Sequence, residues 1–180
     1  MVTDAYREAT GAEIALQPGE ELGGDLPAGS VTRGDLLSIL PGREHLVILE
    51  LSGDGLKRAV GQIAQTRRDL PQVSGLEMVV EGTGEAGKGR RIVEVRSGEK
   101  PLVSGETYRV AMPAALAADF RIRAFSEARN RTDSFINTTD AVLTWFGFHK
   151  KADGKVEGRI RQKQAEASGR EGLDSPGKKG

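Results

Sequence analysis

The sequence predicts an α+β domain, in which short strands are interleaved with short helices. Three observations predict it. The run Leu46–Leu51 is apolar except for Glu50, the pattern of a strand covered on both faces. Immediately after it, Leu56, Ala59, Val60 and Ile63 recur at the spacing of a core-facing helix stripe. The period then changes, and Val73–Glu81 (VSGLEMVVE) and Arg91–Ser97 (RIVEVRS) alternate as strands do.

In chain order, Thr3–Thr10 forms a short helix, started by Thr3 or Asp4 and ended by Gly11, which can take a left-handed conformation. Glu13–Gln17 is a brief strand closed by Pro18-Gly19. Gln17–Ser30 is rich in glycine and proline and is expected to be a loop or a set of turns. Thr32 or Gly34 starts a helix of one to two turns with Leu36, Leu37 and Leu40 as its apolar residues, and Pro41 stops it. Ser52 caps the helix that follows the central apolar strand.

Between the two alternating segments, TGEAGKG is long enough for a hairpin loop. SGEKPLVSGET supplies two further turns before a strand at Thr107–Met112. Pro113–Ala118 is an alanine-rich short helix, and Phe120–Thr132, charged with scattered apolar residues, shows no clear period. Thr138 or Thr139 caps a helix over Asp140–Lys150, whose expected buried side is Ala141, Val142, Trp145, Phe146 and His149. VEGRIRQK closes the fold as a last strand. The domain is expected to span residues 1–163, and the polar segment 164–180 is expected to be a disordered tail.

Bulk properties exclude several classes. Lys+Arg and Asp+Glu both number 26, so no excess charge points to nucleic acid or to an anionic membrane surface. No apolar run approaches the roughly 20 residues that span a bilayer. The absence of cysteine removes disulfides, thiol nucleophiles and Cys-ligated zinc. The N-terminus, with Asp4 and Glu8, does not read as an export signal. That predicts a cytoplasmic location as written, or a periplasmic or extracellular one if the chain is a fragment of a longer exported protein.

Candidate chemistry is sparse. His45 and His149 are the only histidines, too few for a His-rich dimetal site. His149 in a last helical turn suits the helix dipole, and His45 opens a strand; a structural role is expected for both. No G-x-S-x-G is present, and neither Gly19–Gly29 nor Gly82–Gly89 fits a P-loop or a dinucleotide fingerprint. Glu20–Glu21 are expected in an exposed loop. Arg67–Arg68 and Arg121/Arg123 are expected on a solvated surface rather than on a phosphate.

The phrases DAYREATGAEIALQ, GDLPAGSVTRGDLLSILP, LVILELSGDGLKRAV, LPQVSGLEMVVE, GETYRVAMP and KVEGRIR, in that order, resemble the C-terminal domain of the 5′-nucleotidase family over about residues 4–162. The resemblance implies a four-layer α/β/β/α sandwich with mixed sheets, which periodicity alone does not supply. It also implies a division of labour. An N-terminal metallophosphoesterase domain holds two metal ions and hydrolyses the ester, while the C-terminal domain holds the nucleotide. The expected partners are therefore a metallophosphoesterase domain or subunit and a nucleotide-like small molecule. No cofactor, metal ligand or catalytic residue is expected in this chain, which alone would not be catalytic.

Carried over position by position, most of the ligand contacts are missing. The family's Asn-x-Gly-x-x-Arg places its Asn at Pro18 and its Arg at Gly23. Its Pro-Phe-Gly-Asn falls on Pro41, Gly42, Arg43 and Glu44, without the stacking ring or the amide. Its second stacking Phe falls on Ala115, and the carboxylate for the ribose falls on Arg121. Of the positions compared, only Gly75 in VSGL keeps its residue type, and the resemblance implies a backbone contact to substrate there. Base–aromatic stacking contributes about 1–3 kcal/mol per ring and a charge-assisted hydrogen bond about 1.5–3 kcal/mol. The sequence therefore predicts a retained scaffold and a degenerate nucleotide pocket.

Overall fold

Two mixed sheets form the frame of the computed structural model, which describes residues 1–40, 44–82 and 89–163. The expectations for Pro41–Arg43, for most of the TGEAGKG loop and for the 164–180 tail fall outside those residues. The chain begins with α1 (Val2–Thr10), β1 (Ile14–Gln17), a 3-10 turn (Gly19–Glu21), α2 (Arg33–Ile39), β2 (His45–Ser52) and α3 (Gly53–Thr66). There follow β3 (Gln72–Ser74), β4 (Glu77–Glu81), β5 (Arg91–Ser97), β6 (Lys100–Pro101), β7 (Thr107–Pro113) and α4 (Ala114–Ala117). A 3-10 turn (Arg123–Glu127), β8 (Arg131–Asn137), α5 (Thr138–His149) and β9 (Ile160–Gln162) complete it.

One sheet has the order β3-β1-β7-β2-β8, with β1 and β7 parallel; the other has the order β6-β5-β4-β9, with β4 and β9 parallel. β2 lies inside the first sheet, paired on both sides, and both of its faces are covered by other layers, which is why it is apolar on both. Helices α1, α2 and α5 cover one face of this sheet around Tyr6, Ala15, Leu46 and Ala111. Its other face carries Ile14, Leu16, Val47, Leu49 and Leu51 into a second cluster. There Leu56, Val60 and Ile63 of α3 meet Met78 and Val95 of the second sheet. The expected α+β class with mixed sheets is what the chain forms.

The helix ends follow local chemistry. Ser52 accepts from the Gly55 amide at 3.1 Å, as the sequence predicts. Thr32 and Asp35 form a reciprocal capping box at the start of α2, which decides between Thr32 and Gly34. Gly11 ends α1 at φ 63. On α2 the buried residues are Leu36 and Ile39, while Leu37 faces outward.

Two expectations are corrected, and a segment without a clear period is assigned. Val73–Glu81 is not one strand: β3 joins the first sheet and β4 the second, with Gly75 at φ 70 in the break between them. The alternating pattern runs through the break, so periodicity alone does not reveal it. Phe120–Thr132 is ordered, with Ala124 and Phe125 buried in the 3-10 turn and β8 beginning at Arg131. β8 is an edge strand of mostly exposed residues, which removes the apolar signal of a strand. Helix α5 starts after Asn137 rather than after Thr138 or Thr139, and His149 is exposed at its end.

Asp4 ties the chain's return to its beginning. Its carboxylate accepts from the Ser74 hydroxyl at 2.5 Å and from the Arg159 guanidinium at 2.9 Å. Arg159 also donates to the Val73 carbonyl at 2.8 Å, fixing the segment before β9. Burial pushes the Asp4 carboxyl up, but hydrogen bonds from the amino terminus, Ser74 and Arg159 outweigh it and hold the pKa at about 2. A carboxyl depressed in the folded state contributes stability above its unfolded pKa and loses it as pH falls toward the folded value. Asp4→Asn is therefore expected to cost about 1–2 kcal/mol at pH 7, with the gap to the parent closing between about pH 4 and pH 2. Urea unfolding at both ends of that range checks it, and a gap independent of pH would contradict it.

Candidate functional site

Strands β1 and β7 run parallel, so their carboxyl ends lie together at one edge of the first sheet. At that edge a cavity of about 240 Å³ is walled by Tyr6, Gln17, Glu21, Leu40, Glu44, Pro113 and Thr138. Each wall comes from a different segment: α1, the end of β1, its following turn, the end of α2, the residue before β2, the end of β7 and the start of α5. The loops after β1, before β2 and after β7 are the ones the sequence singles out. Glu21, Glu44 and Pro113, from or beside these segments, come together here although Glu21 and Pro113 are 92 residues apart.

The cavity floor is polar but internally satisfied. The Tyr6 hydroxyl, on a fully buried ring, donates to the Gln17 Oε1 at 2.9 Å. Gln17 donates in turn to the Pro18 carbonyl at 3.2 Å. Burial pushes the Tyr6 phenol well above its ordinary value; the Glu44 and Glu21 carboxylates add to this against a hydrogen bond with Thr138. The phenol is thus a neutral hydrogen-bonding group at any physiological pH.

Two positions that the resemblance assigned to ligand contacts bond to each other instead. Glu44, at the position of the family's amide, accepts the Ala115 amide hydrogen at 3.0 Å. Ala115 is the position of the second stacking ring. The Glu44 carbonyl accepts from the Thr138 amide at 2.8 Å, which fixes α5 against the same corner.

Beside the cavity, charged residues form a compact group around Arg67. One of its guanidinium nitrogens donates to Glu20 at 3.0 Å and Glu21 at 2.8 Å, and another donates to Asp119 at 2.9 Å. Arg67 is 8% exposed, so the expectation of a solvated surface arginine is corrected. Glu20–Glu21 are likewise not free in an exposed loop; they anchor the 3-10 turn to the end of α3. The sequence missed this because the partners lie 46, 47 and 52 residues from Arg67.

Arg121, at the position of the family's carboxylate, pairs with Asp119 at 2.9 and 2.7 Å. The guanidinium of Arg121, opposed in part by burial and helped by Arg67, holds the Asp119 carboxyl far below the usual carboxylate range. Asp119 is therefore fully ionised and occupied by two arginines. Arg68 remains on the surface, paired with Asp69.

The other expected positions fall elsewhere. Gly23 donates its amide to the Ile39 carbonyl at 3.0 Å, and a Cβ placed there would lie 2.3 Å from the Ser38 carbonyl oxygen. The arginine of the family motif has no room at this position unless the backbone moves. Gly75 lies by the Ile14 end of β1, next to Glu13 and Arg7, and does not line the cavity. His149 pairs with Glu8 at 2.8 Å and stacks on Trp145 with centroids 4.2 Å apart, and His45 is exposed at the start of β2. Among the described residues no group of three His, Cys, Asp or Glu is placed to hold a metal ion. Nor is any helix among them long and apolar enough to cross a membrane. Tyr6, Gln17 and Thr138 are the cavity residues that sequence reasoning did not single out. The available signal was Gln17, a polar residue closing a strand just before an irregular loop.

The family model for "5′-nucleotidase, C-terminal domain" matches residues 1–126. The trifunctional nucleotide phosphoesterase protein YfkN of Bacillus subtilis is 28% identical over 167 residues, 87% of this chain and 11% of that protein. Protein UshA of Yersinia enterocolitica is 26% identical over 114 residues, 62% of this chain and 20% of that protein. Among solved structures, the 5′-nucleotidase precursor from Thermus thermophilus superposes with TM-score 0.77 at 27% identity, over 89% of this chain and 34% of its own. The NAD nucleotidase of Haemophilus influenzae shares the fold with TM-score 0.77 at 16% identity, over 89% and 32%. The chain thus spans 11% and 20% of the two curated relatives, and about a third of the two solved chains.

Proposed function

This chain belongs to the 5′-nucleotidase C-terminal domain family, and we propose that it is the substrate-recognition part of a phosphoester hydrolase whose metal chemistry lies on a metallophosphoesterase domain. The observation that carries this reading is that Glu21, Glu44 and Pro113, each from a segment that carries a family motif, line one cavity at the ends of β1 and β7. Hydrolysis of a phosphate ester by this route needs a metal pair to generate hydroxide and neutralise developing charge. The described side chains do not fit such a pair, since no three potential ligands come together. No catalytic step is therefore assigned to this chain. Its contribution is shape, hydrogen bonding and exclusion of water around a bound small molecule.

A second reading is favoured by the charge of the cavity. Glu21 and Glu44 stand in its wall, Ala115 stands where a ring would stack, and Asp119 is held by two arginines. Two carboxylates beside an incoming phosphate are repulsive. On this reading the chain is a non-catalytic binding module that kept the fold and lost nucleotides as ligands.

The purified chain with Mn²⁺ or Zn²⁺ is expected to release no phosphate from AMP above the metal blank. Sustained turnover would sink both readings. Calorimetric titration with AMP and adenosine separates them. Saturable micromolar binding supports recognition of nucleotides, and silence from a chain that melts cooperatively supports the second reading.

A further inference from the structure

Helix α5 lies in an outer layer, yet its outward side carries no charge between its two ends. Its inner side, Ala141 and Val142, packs against the first sheet. Trp145 and Phe146 are half-buried, and the outward stripe is Asp140, Thr144, Gly147 and Phe148, flanked by half-buried Leu143. Phe148 is 76% exposed. A helix at the surface of a monomer ordinarily shows charge on that side. This one shows charge only at its ends, with Asp140 in the first turn and Lys150 and Lys151 just past the last. None of these three is in an ion pair among the described residues.

We propose that the outer face of α5 binds the same face of a second copy of this chain, with the two helices antiparallel. The commitment to a second copy comes from self-complementarity. A two-fold contact requires that each residue find its counterpart when the pairing is reversed. A single antiparallel register sets Leu143 opposite Phe148 and Thr144 opposite Gly147, and brings Asp140 to the Lys150–Lys151 end of the partner. Apolar meets apolar, the small pair sits at the crossing where axes approach closest, and each acidic end meets a basic end. The antiparallel helix dipoles reinforce the same pairing. Close approach of two helices to about 8–10 Å requires small side chains at the contact, and Thr144 and Gly147 supply them.

The patch extends beyond one helix. Leu37 of α2, 40% exposed, shares a groove with Leu143 and Asp140. The contact does not involve the cavity, so it is independent of the proposed function.

The test is sedimentation velocity of the full chain across a range of concentrations. The expected result is a reversible monomer–dimer equilibrium with a micromolar dissociation constant. Phe148→Asp is expected to weaken it by about tenfold or more, without changing the thermal melt, because the side chain is exposed. Asp140→Lys is expected to weaken it as well, and the combination with Lys150→Glu and Lys151→Glu to restore it. A helix-end effect alone would not give that restoration. A monomer at every concentration, including one whose α5 face is covered by another kind of partner, would overturn the proposal. So would a dimer indifferent to Phe148→Asp, or a failure of the charge swap to rescue.

Discussion

Replacing Gly75 with alanine is expected to destabilise the fold by on the order of 3–5 kcal/mol. Two costs add. Gly75 has φ 70, where an L side chain loses about 1–2 kcal/mol. An added Cβ would also lie 2.1 Å from the Glu13 carbonyl oxygen, and 3.1 and 3.2 Å from two guanidinium atoms of Arg7. The carbonyl is backbone and cannot swing aside, so relief must come from shifting β1 against β3, where Ala15 opposes Ser74. The Gly75 carbonyl also accepts from Ser97 at 3.2 Å, which links the break to β5 in the other sheet. Gly98→Ala separates the two costs, because Gly98 has φ 60 and nothing within 4 Å of an added Cβ. It should lose only the dihedral part, about 1 kcal/mol. Urea midpoints that agree for the two variants would show that the close contact at Gly75 does not matter.

The same residue shows what could be read in the sequence. VSGL marks the family, and the resemblance gives Gly75 a contact to substrate. The fold supplies a separate reason for glycine there, the crossing from one sheet to the other. That reason depends on Glu13, 62 residues away, and no local pattern encodes it. Where structure depends on neighbours in sequence, it was legible: the apolar run of β2, the cap at Ser52 and the stripe of α3 all lie where they were expected. β8 was not legible because an edge strand needs no apolar face. The location of the cavity was legible only through the order of the family motifs. Its present chemistry was not, because only the folded chain brings Tyr6 to Gln17 and Thr138 to Glu44, through hydrogen bonds that no local pattern encodes.

Arg67→Met is expected to cost about 2–4 kcal/mol at pH 7, less than a fully buried pair because Glu20 and Glu21 are partly exposed. Most of that cost is the three carboxylates left behind rather than the bonds removed. Methionine fills much of the volume and keeps the stem packed, but it leaves Glu20, Glu21 and Asp119 converging without a central cation. Arg121 still neutralises Asp119, so the repulsion falls mainly on the two glutamates. The pH dependence identifies the cause. In the parent, Asp119 is depressed, so it contributes stability above its unfolded pKa and loses it in acid. In the variant the two glutamates face each other without Arg67, and like charges repel. Protonation then relieves the folded state, and the penalty shrinks as pH falls from about 7 to about 4. A second variant, Glu20→Gln with Glu21→Gln in the Arg67→Met background, should recover much of the loss at pH 7. If the penalty is flat with pH and unrelieved by the glutamines, the arginine contributes by packing, and charge does not hold the loop after β1 against α3.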